Sequence, residues 1–100
     1  MLDTLEEEVE KGRRHLEILN VVLEEEPIGI MQLSNETGHP HHKVRYSLRT
    51  LEDDDLITPT ASGAETTENV DAFLEAVDDR CASIQERLDS LRFDEVPDTD

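Results

Sequence analysis

Between Thr37 and Leu51 the chain carries no acidic side chain, and within that segment stand Lys43, Arg45 and Arg49 with three of the four histidines, His39, His41 and His42. Guanidinium and ammonium groups donate charged hydrogen bonds, and imidazoles add further donors. Such a cluster suits phosphate oxygens and the acceptor edges of bases. Elsewhere acid dominates, with 26 Asp and Glu against nine Lys and Arg for a net charge of -17. A chain that spreads acid everywhere but spares one segment reserves that segment for an anionic partner, and the asymmetry points to nucleic acid.

Other chemistry for these residues is weaker. His39, His41 and His42 are good metal ligands in type, but three imidazoles within four residues rarely converge on one ion and no cysteine lies near them in sequence, so no metal is expected. Arg45 and Arg49 also have a bland reading, as a solvated face pairing with local acids. The isolated His15 carries no signal. There is no Gly-rich phosphate loop, nucleophile motif or ligand set, and so short a chain has little room for a pocket; neither enzymatic activity nor a cofactor is expected, and no small-molecule effector is evident.

The elements that must position the basic residues are helices. Leu2, Leu5, Val9, Leu16, Leu19 and Leu23 fall three and four apart except where Gly12 fills one slot, predicting a helix over 2–26 that Asp3 or Thr4 caps and Pro27 ends. Ile18 and Val22 widen its stripe, and Gly12 marks a break or a close helix contact. Ile28-Gly29-Ile30 reads as a short strand and 31–37 as a short helix burying Ile30, Leu33 and Met31; Gly38 makes a sharp turn, and Pro40 suits the first position of the next helix. That helix spans about 41–54. Val44, Leu48 and Leu51 define its inner face; at 100° per residue the outer face carries His42, Arg45, Tyr46 and Arg49, with Lys43 and Thr50 at its margin. Asp53-Asp54-Asp55 closes it.

Leu56-Ile57-Thr58 and Ala64-Glu65-Thr66 read as two strands joined through the turn residues Pro59 to Gly63, and Thr67 is placed to cap a last helix. There Val70, Leu74, Val77, Cys81, Ile84, Leu88 and Leu91 alternate four and three apart, the pattern of a coiled-coil seam. The seam, with Leu2, Leu5 and Val9, is the expected dimer interface. Cys81 within it reads as a small buried hydrophobe that a two-fold dimer brings near its own mate. Residues 94–100 hold Pro97 and four acids and read as a disordered tail.

This order of elements resembles a winged helix-turn-helix domain over residues 14–67. Ile30-Met31-Gln32-Leu33-Ser34-Asn35-Glu36-Thr37-Gly38 is similar to the first helix and turn of that motif. His41-His42-Lys43-Val44-Arg45-Tyr46-Ser47-Leu48-Arg49-Thr50-Leu51-Glu52 resembles its recognition helix, and Asp53-Asp54-Asp55-Leu56-Ile57 its exit into the wing. The resemblance implies a sequence-specific transcriptional regulator that binds double-stranded DNA as a homodimer. It implies His41, His42, Lys43, Arg45, Tyr46, Arg49 and Thr50 as contacts from the recognition helix, Gln32 and Ser34 from the helix before it, and Thr60 and Ser62 from the wing. The wing departs from the usual pattern in holding no Lys or Arg. That departure favours the competing reading, a winged-helix adaptor that docks on a basic protein without binding DNA.

The expected architecture is therefore mainly α with a small β-hairpin: a helical extension over 1–13, the DNA-binding domain over 14–67, a dimerisation helix over 68–93 and the tail. Dispersed acid with almost no Lys resembles the proteins of extremely halophilic archaea, where molar salt shortens the Debye length to about 3 Å and screens self-repulsion. No run of apolar residues reaches membrane-spanning length, no signal peptide is visible, and the single cysteine excludes an intrachain disulfide framework; a cytoplasmic protein is expected.

Overall fold

A computed structural model describes residues 1–91. It contains α1 (Leu2–Glu25), α2 (Ile30–Thr37), α3 (His41–Asp53), β1 (Ile57–Thr60), β2 (Gly63–Thr66) and α4 (Val70–Asp89). The chain is mainly helical with one two-stranded antiparallel sheet. It forms two units, Met1–Val70 and the residues from Asp71 onward. The expected tail over 94–100 lies outside the described residues. Among the described residues no helix is long and apolar enough to cross a membrane.

In the first unit α1 buries only its C-terminal half, through Ile18, Leu19 and Val22. The sequence offers two overlapping stripes, and the residues read as widening the stripe are in fact its centre. Leu2, Leu5 and Val9 remain 68%, 54% and 59% exposed. Gly12 neither breaks the helix nor meets another element, since a Cβ there has nothing within 4 Å. Neither Asp3 nor Thr4 caps α1: the helix already begins at Leu2, and no side chain bonds its N-terminus.

Glu26, just past α1, holds the sheet. Its carboxylate accepts from the Thr66 backbone N–H at 2.6 Å and from the Thr66 hydroxyl at 2.9 Å. Ile28 adds a single bridge to Ala64 rather than a full strand, its N–H donating to the Ala64 carbonyl at 3.2 Å and its carbonyl accepting at 2.8 Å. α2 starts one residue earlier than expected, buries Leu33 and leaves Met31 exposed. Gly38 closes it with φ of 80°, the left-handed conformation that a side chain resists. Pro40 precedes α3 as its N-cap rather than forming its first turn.

α3 buries Val44, Ser47, Leu48 and Leu51. Asp55 turns the chain out of it at φ of 60°, and the Leu56 N–H returns to the Leu51 carbonyl at 2.9 Å. β1 runs on to Thr60 through Pro59, so the connection to β2 is only Ala61 and Ser62. Proline fits because β1 has no second neighbour requiring its missing N–H. The Thr67 hydroxyl donates to the Asp55 carbonyl at 2.6 Å and Asn69 Nδ2 donates to the same oxygen at 3.0 Å. Thr67 is thereby tied to the exit from α3, and α4 begins at Val70 instead of at the residue after Thr67.

Val70, the first residue of α4, is buried in the core of the first unit, a correction to its expected place at a dimer interface; the rest of the seam, Leu74 to Leu88, lies in the second unit. α4 ends at Asp89, so Leu91 falls in the turn beyond it. Ile84 and Leu88 are 48% and 53% exposed, and Cys81 is exposed rather than buried.

Candidate nucleic-acid interface

With Val44, Leu48 and Leu51 facing the core, the geometry of α3 turns His42, Lys43, Arg45, Tyr46 and Arg49 outward, and all five are exposed. His41 is exposed at the start of the helix and Thr50 is half-buried at its margin. Among the described residues Lys43, Arg45 and Arg49 make no ion pair; the only ion pairs there join Lys11 to Glu8, Arg13 to Glu10 and His39 to Glu17. The bland reading of Arg45 and Arg49, as partners of local acids, has no such pair to rest on. Thr50 donates its hydroxyl to the Tyr46 carbonyl at 3.1 Å, a bond within the helix.

The expected residues outside α3 are engaged elsewhere. Gln32 Nε2 donates to Glu25 at 3.2 Å and to Glu36 at 2.9 Å, which uses both its amide hydrogens. The Glu25 carboxyl is raised from its ordinary value by its hydrogen bond with Glu36, and Glu36 is lowered by the same contact. Gln32 thus stands in an acidic setting unsuited to phosphate. Ser34 donates its hydroxyl to the His39 carbonyl at 2.6 Å, bracing the turn into α3. Thr60 donates to the Gly63 carbonyl at 2.7 Å within the hairpin, while the Ser62 side chain is exposed at its tip. His39 lies 2.9 Å from Glu17 through Nε2, apart from His41 and His42 in its bonding.

A second group of basic residues joins this face from α1. Arg14 Nε donates to Ser47 Oγ at 3.0 Å, and His15 Nδ1 lies 2.7 Å from the same oxygen. Ser47 is fully buried. The Ser47 oxygen accepts from Arg14 and shares a hydrogen bond with the His15 imidazole. The Arg14 guanidinium carbon stands 5.9 Å from the Tyr46 ring centre, and the His15 and Tyr46 rings are 5.6 Å apart. Burial lowers the His15 pKa from its ordinary value; Arg14 and Lys11 lower it further, and Asp54 opposes them.

Six of the nine Lys and Arg therefore belong to two segments, residues 11–14 and 43–49. Lys11, Arg14 and His15, at i, i+3 and i+4, share one face of α1. That spacing was present in the sequence, but only the packing of α1 against α3 gives it meaning. No family model matches the chain, and no curated protein matches it in sequence.

Proposed function

We propose that the chain is a sequence-specific DNA-binding regulator of transcription, a winged helix-turn-helix protein that acts as a homodimer with α3 in the major groove. In this reading α2, the Gly38 turn and α3 form the helix-turn-helix, and β1 and β2 form the wing. One observation carries it: the outer face of α3 displays Lys43, Arg45 and Arg49, unpaired among the described residues, beside His42 and Tyr46. Keeping three cations free of carboxylates in a chain of net charge -17 fits an anionic partner better than a solvated face. Arg45 and Arg49 are the candidates for guanine edges, with Lys43 and His42 toward phosphates. The dispersed acid is suited to a solvent of molar salt, where counterion release adds little and binding leans on direct hydrogen bonds and fit.

The second reading is a protein-interaction adaptor that docks on a basic partner. It draws on the hairpin, which holds no Lys or Arg and whose Thr60 hydroxyl is already spent, and on the exposed Asp53, Asp54 and Asp55 beside it. A mobility-shift assay in concentrated KCl against a pool of genomic duplex fragments separates the two. Arg45→Glu and Arg49→Glu are each expected to weaken retention about tenfold or more, the scale of one lost base contact with a reversed charge. Equal retention by wild type and both variants, or none by any, favours the adaptor.

A further inference from the structure

The cleft between α1 and α3 adds residues of α1, which the reading above leaves unused, to His42, Lys43 and Tyr46 of α3. It encloses about 570 Å³; Glu7 and Glu10 line it together with Lys11, Arg14, His42, Lys43 and Tyr46. Arg14 distinguishes this cleft from a gap between helices. Its Nε is held by the buried Ser47 hydroxyl and its guanidinium carbon lies over the Tyr46 ring at 5.9 Å from the centre, while among the described residues its two Nη groups have no hydrogen bond or ion pair. A guanidinium fixed on one edge and open on the other loses little freedom on binding and matches two oxygens of a phosphate. Lys11 stands one turn earlier on the same face of α1, tied only to the surface carboxylate of Glu8 at 3.4 Å. His42 and Lys43 come from the first turn of α3, where the helix dipole adds positive partial charge.

We propose that this cleft binds a phosphodiester group, gripped by Arg14 and flanked by Lys11, His42 and Lys43. In the protein–DNA complex, that group is a backbone phosphate beside the groove α3 enters. The DNA assignment rests on the proposed function; the phosphate chemistry stands on the cleft alone. Glu7 and Glu10 set the choice among phosphates. Their repulsion grows with ligand charge, so a diester with one negative charge is accepted where inorganic phosphate, with more, is disfavoured. Glu10 is partly satisfied by Arg13 at 3.7 Å, and at molar salt a Debye length of about 3 Å confines the repulsion to near contact.

The test measures binding of a retained duplex fragment across a KCl series for wild type, Arg14→Gln, Lys11→Gln and Glu10→Gln. Thermal melts establish that each variant is folded, and Lys11→Gln leaves the Ser47 bond of Arg14 intact. Arg14→Gln and Lys11→Gln are expected to weaken binding several-fold and to reduce the logarithmic salt slope, by about 1 at most for the two together, the share of a single phosphate. Glu10→Gln is expected to tighten it. If Arg45→Glu abolishes binding while the Arg14 and Lys11 variants keep wild-type affinity and slope, the cleft proposal is overturned and the DNA reading stands. A parallel arm follows the Arg14 Nε–H resonance during titration with dimethyl phosphate and with inorganic phosphate. A shift saturating with the diester first supports the site even if no duplex is retained. A resonance unmoved by either ligand overturns it.

Discussion

Ser47 is the only polar side chain buried in the core of the described residues, and it joins α1 to α3 by serving Arg14 and His15 at once. Ser47→Ala leaves both partners without their oxygen. Because Arg14 and His15 are half-buried, water replaces part of the loss, and the expected cost is about 1–2 kcal/mol. In a melt of a domain this size that is a fall of several degrees; an unchanged melting temperature refutes the role given to Ser47. His15 supplies a pH prediction of definite sign. Its folded-state pKa lies below the ordinary 6.5, from burial first and then from Arg14 and Lys11, against the pull of Asp54. The unfolded chain therefore takes up this proton first as pH falls. The stability contribution of His15 is retained above 6.5, declines as pH drops through 6.5, and levels off below the folded pKa. An NMR titration should give a His15 midpoint below 6.5, moving upward in Arg14→Gln. A midpoint at or above 6.5 contradicts the packing described for this imidazole.

The elements legible in the sequence were those specified by local spacing. Val44, Leu48 and Leu51 repeat with the turn of α3, and its outer face followed from 100° per residue without tertiary information. Gly38 and Asp55 marked their turns because few other residues accept positive φ. Partners distant in sequence were not legible. Arg14 and His15 meet Ser47 across more than thirty residues, and no local periodicity encodes which faces of two helices will touch. For the same reason the leucine stripe of α1 stands out in the sequence, although the core takes only Leu19 from it, together with Ile18 and Val22. Pro59 reads in the sequence as a turn residue, yet β1 runs through it. Gly63 carries the clearest element-scale prediction. Its φ is 132°, and an added Cβ would lie 2.6 Å from the Ile28 carbonyl carbon. Gly63→Ala must break the Ile28 bridge or strain the hairpin, at about 2–4 kcal/mol, measurable by urea unfolding. Gly12→Ala acts in the opposite direction. The helix passes through Gly12 with open space around it, so alanine should stabilise α1 by up to about 1 kcal/mol.

For the whole molecule, charge and apolar exposure act against each other. Each chain carries -17, so two chains approaching in dilute buffer repel, yet α4 exposes Ile84 and Leu88 on a heptad stripe that water alone does not satisfy. Salt resolves the conflict, because screening removes the repulsion and leaves the burial of apolar surface intact or strengthened. The proposed homodimer should therefore be salt-dependent: sedimentation in rising KCl is expected to convert wild type from monomer to dimer. Ile84→Asp and Leu88→Asp should keep the chain monomeric throughout, since each sets a charge on the seam where two copies would meet. These substitutions lie in the second unit, whereas the core from Ile18 to Val70 lies in the first, so the cooperative melt of the first unit should survive. Loss of dimer without loss of fold would then lengthen no contact on α3 but remove its repetition. Binding to paired half-sites one turn of DNA apart, about 34 Å, should fall far more than binding to a single half-site. A wild-type chain that stays monomeric at every salt concentration would leave the α4 stripe to some other partner and would deprive the regulator reading of its second recognition helix.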